Sequence, residues 1–186
     1  MNPTALNFSD PQYPPQLQQR LGGHAPRKLF ALGSLAILSE RKTALFCSVR
    51  CPGNAILSAY DTARKLRDDG VTVISGFHSP VEKECLRILL RGKQPIIICL
   101  ARAFGKIRLP SDWRHALESG RLLLISPFEK RPPRPDKNST AYRNELVAAL
   151  SDEVLIIHAT PGGEIERISQ LIERWSIPKR KWEHDR

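Results

Sequence analysis

Four loops in this chain carry residues able to hold an anion, and each lies where a short apolar run gives way to a segment of helical period. The first, Ser48-Val49-Arg50-Cys51-Pro52-Gly53-Asn54, offers a hydroxyl, a guanidinium and a glycine at a strand-to-helix turn. Such a turn can present backbone N–H groups and an arginine fork to a phosphate. An ordinary turn with an exposed arginine fits the same residues, since neither a G-x-G-x-x-G nor a Walker A pattern occurs. The second is Ser75-Gly76-Phe77-His78-Ser79-Pro80. Here Gly76 permits close backbone approach, and a helix opening near Pro80 supplies unpaired N–H donors. His78 could bind an anion or act in catalysis, although a lone loop histidine is more commonly solvated. The third, Thr160-Pro161-Gly162-Gly163-Glu164, has a glycine pair opening a helix, which fits either an anion nest or a tight turn at positive φ. Glu164 and Glu166 suit the first-turn dipole and need no catalytic role. The fourth is the Pro-rich basic stretch 127–138, with Lys130, Arg131, Arg134 and Lys137, leading to Tyr142-Arg143-Asn144. Cations beside an aromatic suit a surface that tracks a nucleic-acid backbone and stacks bases; a flexible solvated loop is the alternative.

Catalysis finds no such grouping. There is no nucleophile elbow, no His/Asp/Glu metal cluster and no carboxylate pair at a meaningful spacing, so neither metal nor cofactor is expected. Cys47 and Cys51 form a lone C-x3-C without a second ligand pair. Together with Cys85 and Cys99 they read as reduced thiols acting as small hydrophobes.

The elements that must position these loops follow from the apolar patterning. The runs 29–33, 43–49, 71–75, 94–100, 121–126 and 153–159 are apolar throughout instead of alternating, as in strands buried on both faces of a parallel sheet. Between them, 53–69, 80–91, 111–118, 139–151 and 163–175 carry apolar residues at helical spacing. Pro80 suits a first turn, Ser111 an N-cap, and Gly70 a position just past a helix end. Strand and helix in alternation predict an α/β fold: three-layer, Rossmann-like and doubly wound, with a mainly parallel sheet and helices on both faces. In such sheets ligands bind outside the carboxyl ends of the strands, where the four loops fall. Residues 1–28 read as a lead-in packed on the core with one short helical stretch near 15–22, residues 29–178 as the domain, and 179–186 as a frayed charged tail.

The 186 residues fit one domain. No stretch approaches the roughly 18 apolar residues of a membrane span, and the N-terminus lacks the pattern of a secretory signal, so a cytoplasmic protein is expected. With Lys+Arg 29 against Asp+Glu 19, the net charge is +10, which points to an anionic partner, nucleic acid or a phosphorylated ligand.

Taken in order, the motifs resemble one family, DNA-processing protein A (DprA, or Smf), within the Rossmann-like group that includes LOG-type (SLOG) proteins. Tyr13-Pro14-Pro15-Gln16-Leu17 resembles its YP-x-x-L, and Leu29 to Gly33 its L-x-x-x-G. Ser48-Val49-Arg50 stands where the family has a G-S-R turn, its glycine replaced by Ser48 (or Cys47 with the frame moved by one). Ser75-Gly76-Phe77 opens the segment resembling S-G-L-A-R-G-I-D. Arg143-Asn144-Glu145, then Ala148 to Asp152, resemble R-N-R-x-I-A-x-L-S-D, followed by a strand like Val154 to Ala159. The resemblance covers about residues 12–165. It departs where A-R-G-I-D becomes His78-Ser79-Pro80-Val81-Glu82, losing an arginine and glycine of the family's phosphate pocket, and where the S-G-S region becomes Pro161-Gly162-Gly163-Glu164.

The resemblance implies a non-catalytic protein that binds single-stranded DNA during DNA processing, recombination or natural transformation, as a homodimer with a recombinase partner. The phosphate-binding residues would be Ser48, Arg50, Ser75, Gly76, Lys130, Arg131, Arg134, Arg143, Asn144, Gly162 and Gly163. A LOG-like nucleotide sensor or nucleotide-processing enzyme is the second expectation, with Gly162-Gly163 cradling a phosphate and Glu164 or Glu82 as acid or base. A scaffold whose pocket no longer binds is the third.

Overall fold

The computed structural model describes residues 2–105, 108–129 and 135–180. A seven-stranded sheet runs in the order β1-β2-β6-β5-β4-β3-β7, built from β1 (Thr4–Asn7), β2 (Lys28–Gly33), β3 (Lys42–Cys47), β4 (Thr72–Ser75), β5 (Ile96–Cys99), β6 (Leu122–Ser126) and β7 (Glu153–His158). From β6 to β7 every ladder is parallel, and β4, β5 and β6 are buried along their whole length. That explains their unbroken apolar sequence, because both faces meet helices. β2 departs from the expected parallel series. It pairs antiparallel with β6, and β1 adds antiparallel outside it. The strand in the lead-in was not legible because only Leu6 of its four residues is buried, leaving no apolar run.

The helices are α1 (Pro15–Leu21), α2 (Gly53–Asp68), α3 (Pro80–Leu89), α4 (Ser111–Glu118), α5 (Lys137–Leu150) and α6 (Glu164–Arg174). α2, α3 and α4 share one apolar core with one face of the sheet, and α1, α5 and α6 share the other. The chain steps outward from β3 through β4 and β5 to β6, then returns through α5 to place β7 on the far side of β3. The winding direction reverses at β3, and a crevice opens at the carboxyl ends of β3, β4 and β7.

Local chemistry fixes the helices that border this crevice. α3 starts in a full capping box. The Ser79 hydroxyl accepts from Glu82 N–H, the Glu82 carboxylate accepts from Ser79 N–H, and Pro80 occupies the first turn. α5 starts at Lys137, two residues before the segment 139–151 read as helical, because Asp136 caps it through Ser139, whose N–H donates to the carboxylate at 2.7 Å. Its far end is held from α1, where Arg20 Nη1 donates to the carbonyls of Ala149 and Ser151. These are end-of-helix carbonyls with no partner of their own. α4 begins with Ser111 already helical and Pro110 as its cap, one residue earlier than the expected serine cap.

Lys179 and Arg180 are not frayed. Val154 N–H donates to the Pro178 carbonyl, and Arg180 N–H donates back to Val154, so the segment covers the β7 edge. Lys179 Nζ also reaches Glu173 and Ser169 on α6. The four cysteines are unbridged, and three are buried, in keeping with small apolar side chains. Among the described residues no helix is long and apolar enough to cross a membrane.

Candidate anion-binding site at the strand ends

The crevice holds a cavity of about 260 Å³ lined by the end of β3, by the loops after β3, β4 and β7, and by residues from α3, α5 and α6. Arg143 governs it. Placed mid-way along the buried face of α5, it is 4% exposed, yet it lines the cavity. Among the described residues it forms no ion pair. Its Nε donates to Asn144 Oδ1 at 2.9 Å, and its outer nitrogens make no hydrogen bond among the described residues. Burial pulls the guanidinium below the usual arginine range, opposed by Cys99, Glu82 and Glu164. Arginine nevertheless stays charged at neutral pH. A buried cation without a carboxylate is costly unless something anionic completes it.

The geometry reassigns Gly76. A Cβ there would collide with the Arg143 guanidinium, and even its most distant atom of the three, Nε, would stand only 2.5 Å away. The close backbone approach expected of this glycine is therefore made by Arg143, which rests against the loop after β4. Ser75 is fully buried and does not line the cavity; its hydroxyl accepts from Phe77 N–H. Phe77 takes a positive φ of 45° to send the chain into α3.

Ser48 and Arg50 both line the cavity. Ser48 Oγ accepts from Thr160 N–H at 3.0 Å, while Ser48 N–H donates to the His158 carbonyl, tying the loops after β3 and β7 together. Arg50 is exposed at the rim. Gly163 lines the cavity and Gly162 does not. Their amides are already engaged: Gly162 N–H donates to the Glu166 carboxylate, and Gly163 N–H to the Thr160 carbonyl. Gly162 has φ of 69°, so this is a tight turn into α6, and the donors left facing the cavity belong to the uncapped first turn beginning at Glu164. Lys130, Arg131 and Arg134 lie outside the described residues.

The carboxylates at the site are committed to structure. Glu82 accepts N–H bonds from Cys47 at 3.0 Å, His78 at 2.8 Å and Ser79 at 3.1 Å, stapling the β3 end to the start of α3. Glu164 accepts two bonds from Arg167, which also reaches Glu145 and so joins α6 to α5. An acid or base role for either would require breaking these contacts. Sequence reasoning missed Glu82 as the hub of the site, although the S-x-x-E spacing of Ser79 and Glu82 announces a capping box. His78 lines the cavity. Its imidazole is held below its ordinary pKa by burial first, then by Arg143 and Lys83, against Glu82. Tyr142, next to Arg143, donates its hydroxyl to the His24 carbonyl and meets Phe128 edge-on at 6.0 Å.

A doubly wound α/β domain of this kind, with a cavity at its switch point, belongs to the Rossmann-like class. Within that class the chain can be assigned. Residues 4–166 match the family model of the DNA recombination-mediator protein A, and the chain belongs to that family. No curated protein matches it significantly. Among solved structures, DNA processing protein A from Helicobacter pylori, described for its single-stranded DNA binding mode, superposes with TM-score 0.73 at 21% identity, over 95% of this chain and 79% of that one. The protein of the same name from Streptococcus pneumoniae gives 0.69 at 20% identity, over 90% of this chain. The present chain spans 60% of that protein's length. A molybdenum cofactor binding protein from Rippkaea orientalis shares the fold more loosely, with TM-score 0.53 at 10% identity over 75% of the chain.

Proposed function

We propose that this protein binds single-stranded DNA without catalysing a reaction on it, seating a backbone phosphate in the strand-end cavity. The observation that carries this reading is Arg143, a buried guanidinium with no carboxylate partner among the described residues, facing a cavity beside the uncapped start of α6. Arg50 at the rim would meet a neighbouring phosphate, and Ser48, Asn144, Gly76 and Gly163 shape or orient the seat. With the family's arginine and glycine lost at Ser79 and Pro80, Arg143, which stands at the family-like R-N pair, remains as the buried cation lining the cavity. The cavity's volume also favours it. Pockets that enclose whole small molecules run to roughly 300–1,000 Å³, so about 260 Å³ suits a phosphate with part of its sugar better than a complete nucleotide cofactor. Engagement of Glu82 and Glu164 in structural contacts supports binding over the LOG-like hydrolytic alternative. The reading extends to a cytoplasmic homodimer that delivers DNA to a recombinase, as in natural transformation.

The test is a salt titration of single-stranded DNA binding by the wild type and Arg143→Ala. A single strand loses about 0.7 in the slope of log K against log [salt] for each phosphate contact removed, so the variant's slope should be shallower by about that amount. No wild-type binding at low ionic strength refutes the proposal.

A further inference from the structure

A second cationic cleft lies on the helical face formed by α3 and α4, away from the strand ends. Lys83, Arg87 and Arg91 follow one another at four-residue intervals, are all exposed, and so form a stripe with steps of about 6 Å along α3. Leu90 caps the helix in the right-handed region, which carries the stripe on to Arg91. The stripe starts beside the first site, because Lys83 adjoins Glu82 and the loop of His78. It ends in the second cleft, a cavity of about 420 Å³ where Arg87 and Arg91 meet Arg121, His115 and the start of α4.

Three features of this cleft favour an anion. Arg121 lines the cleft, donates one nitrogen to the Leu90 carbonyl, and forms no ion pair among the described residues. The first turn of α4 has no side-chain cap, which leaves its amides open toward Ser111 and Asp112 at the cavity wall. The carboxylates nearby are outnumbered. Asp112 accepts from the Ser111 hydroxyl and Glu84 is clasped by Arg87, while Arg91 and Arg121 form no ion pair among the described residues.

We propose that this α3–α4 cleft is a second phosphate site, which holds the backbone of a nucleic-acid strand leaving the strand-end cavity along Lys83, Arg87 and Arg91. A continuous strand is favoured over a free phosphate because the two cationic pockets are joined by an exposed cationic stripe. Lys83 and Arg87 lie about 6 Å apart along α3, and Arg91 follows in the turn just past its end. A single ion would use one pocket and leave the stripe without purpose. The inference rests on the single-stranded DNA reading of the first site.

The experiment compares a 6-nucleotide and a 20-nucleotide oligodeoxythymidine by fluorescence anisotropy against salt, in the wild type and in Lys83→Gln/Arg91→Gln. Both positions are exposed, and thermal melting should confirm an unchanged fold. The wild type should show a steeper salt slope with the long strand than with the short one. The double variant should lose about 1.4 of the long-strand slope, two phosphates at about 0.7 each, and keep the affinity for the short strand. Oligouridine of the same lengths should behave alike, since the cleft reads backbone phosphate. An unchanged long-strand slope in the variant overturns the second site, as does an equal loss with both lengths. If the wild type does not bind the short strand, or binds it independently of Arg143, the first-site reading is what fails. If neither strand binds, both fall.

Discussion

Replacing Gly76 by alanine isolates the contact on which the site depends. The backbone accepts the change, because φ at Gly76 lies outside the left-handed region. The side chain opposite does not. The new methyl would stand 2.5 Å from Arg143 Nε and closer still to Cζ and Nη1, whereas ordinary contacts begin near 3.4 Å. Nε must retreat by about 1 Å and the outer atoms by more, which separates the guanidinium from Asn144 Oδ1 and from the cavity. Because the obstacle is the end of a flexible side chain, the fold should survive. One lost hydrogen bond costs about 1 kcal/mol, and reduced freedom of the unfolded chain returns about 0.4–1 kcal/mol. Melting should move by no more than a few degrees, at about 2–4 °C per kcal/mol for this size. Binding should suffer far more. A charge-assisted hydrogen bond is worth about 1.5–3 kcal/mol, which corresponds to a weakening of about 10-fold to 150-fold for single-stranded DNA. The salt slope should become shallower by about 0.7. Anisotropy titrations beside a thermal melt measure both quantities. Wild-type affinity and slope in Gly76→Ala would show that Arg143 does not touch the phosphate; unfolding would show that the guanidinium cannot yield as argued.

Two further outcomes follow from the same site. His78 is held below its ordinary value of 6.5 by burial, Arg143 and Lys83, with Glu82 opposing. The unfolded chain therefore takes up the proton first as pH falls, and this group's contribution to the stability of the unliganded protein declines below about 6.5. A bound phosphate favours the imidazolium, so DNA affinity should rise about threefold to tenfold from pH 7.5 to 5.5, and His78→Gln should flatten that profile. The cysteines give a test of burial. Burial pushes Cys85 and Cys99 up to about 12 and raises Cys47 strongly, while Cys51 alone is partly exposed. Iodoacetamide at neutral pH should add one adduct to the native protein and four after unfolding, read by intact mass; several adducts at equal rates in the native state would contradict the packing.

The sheet was legible wherever burial is symmetrical. Ile96 to Cys99 and Leu122 to Ser126 have both faces covered, so their composition announces a central strand without reference to any neighbour. The spans of α2 and α4 were legible from their apolar spacing, whereas the start of α5 was not, because its Asp136 cap lies inside a Pro-rich basic stretch. The order of strands was not written in any local pattern. Antiparallel pairing of β2 with β6, and the return of Lys179 and Arg180 to the β7 edge, depend on partners distant in the chain.

The candidate site divides in the same way. Composition and turn chemistry by themselves determined that groups of the kind that can hold an anion gather in loops at strand ends, because charge, glycine and hydroxyl residues there are local facts. The tertiary structure decided which groups are free to bind. The amides of Gly162 and Gly163 are consumed within their turn, and Glu82 is consumed by three backbone donors brought from two elements. Arg143, one residue among several basic candidates, becomes central because α5 lays its guanidinium on Gly76, 67 positions earlier in the chain, and leaves it without a carboxylate among the described residues. A charge's availability is a property of what packs around it, and no local pattern in the chain records that.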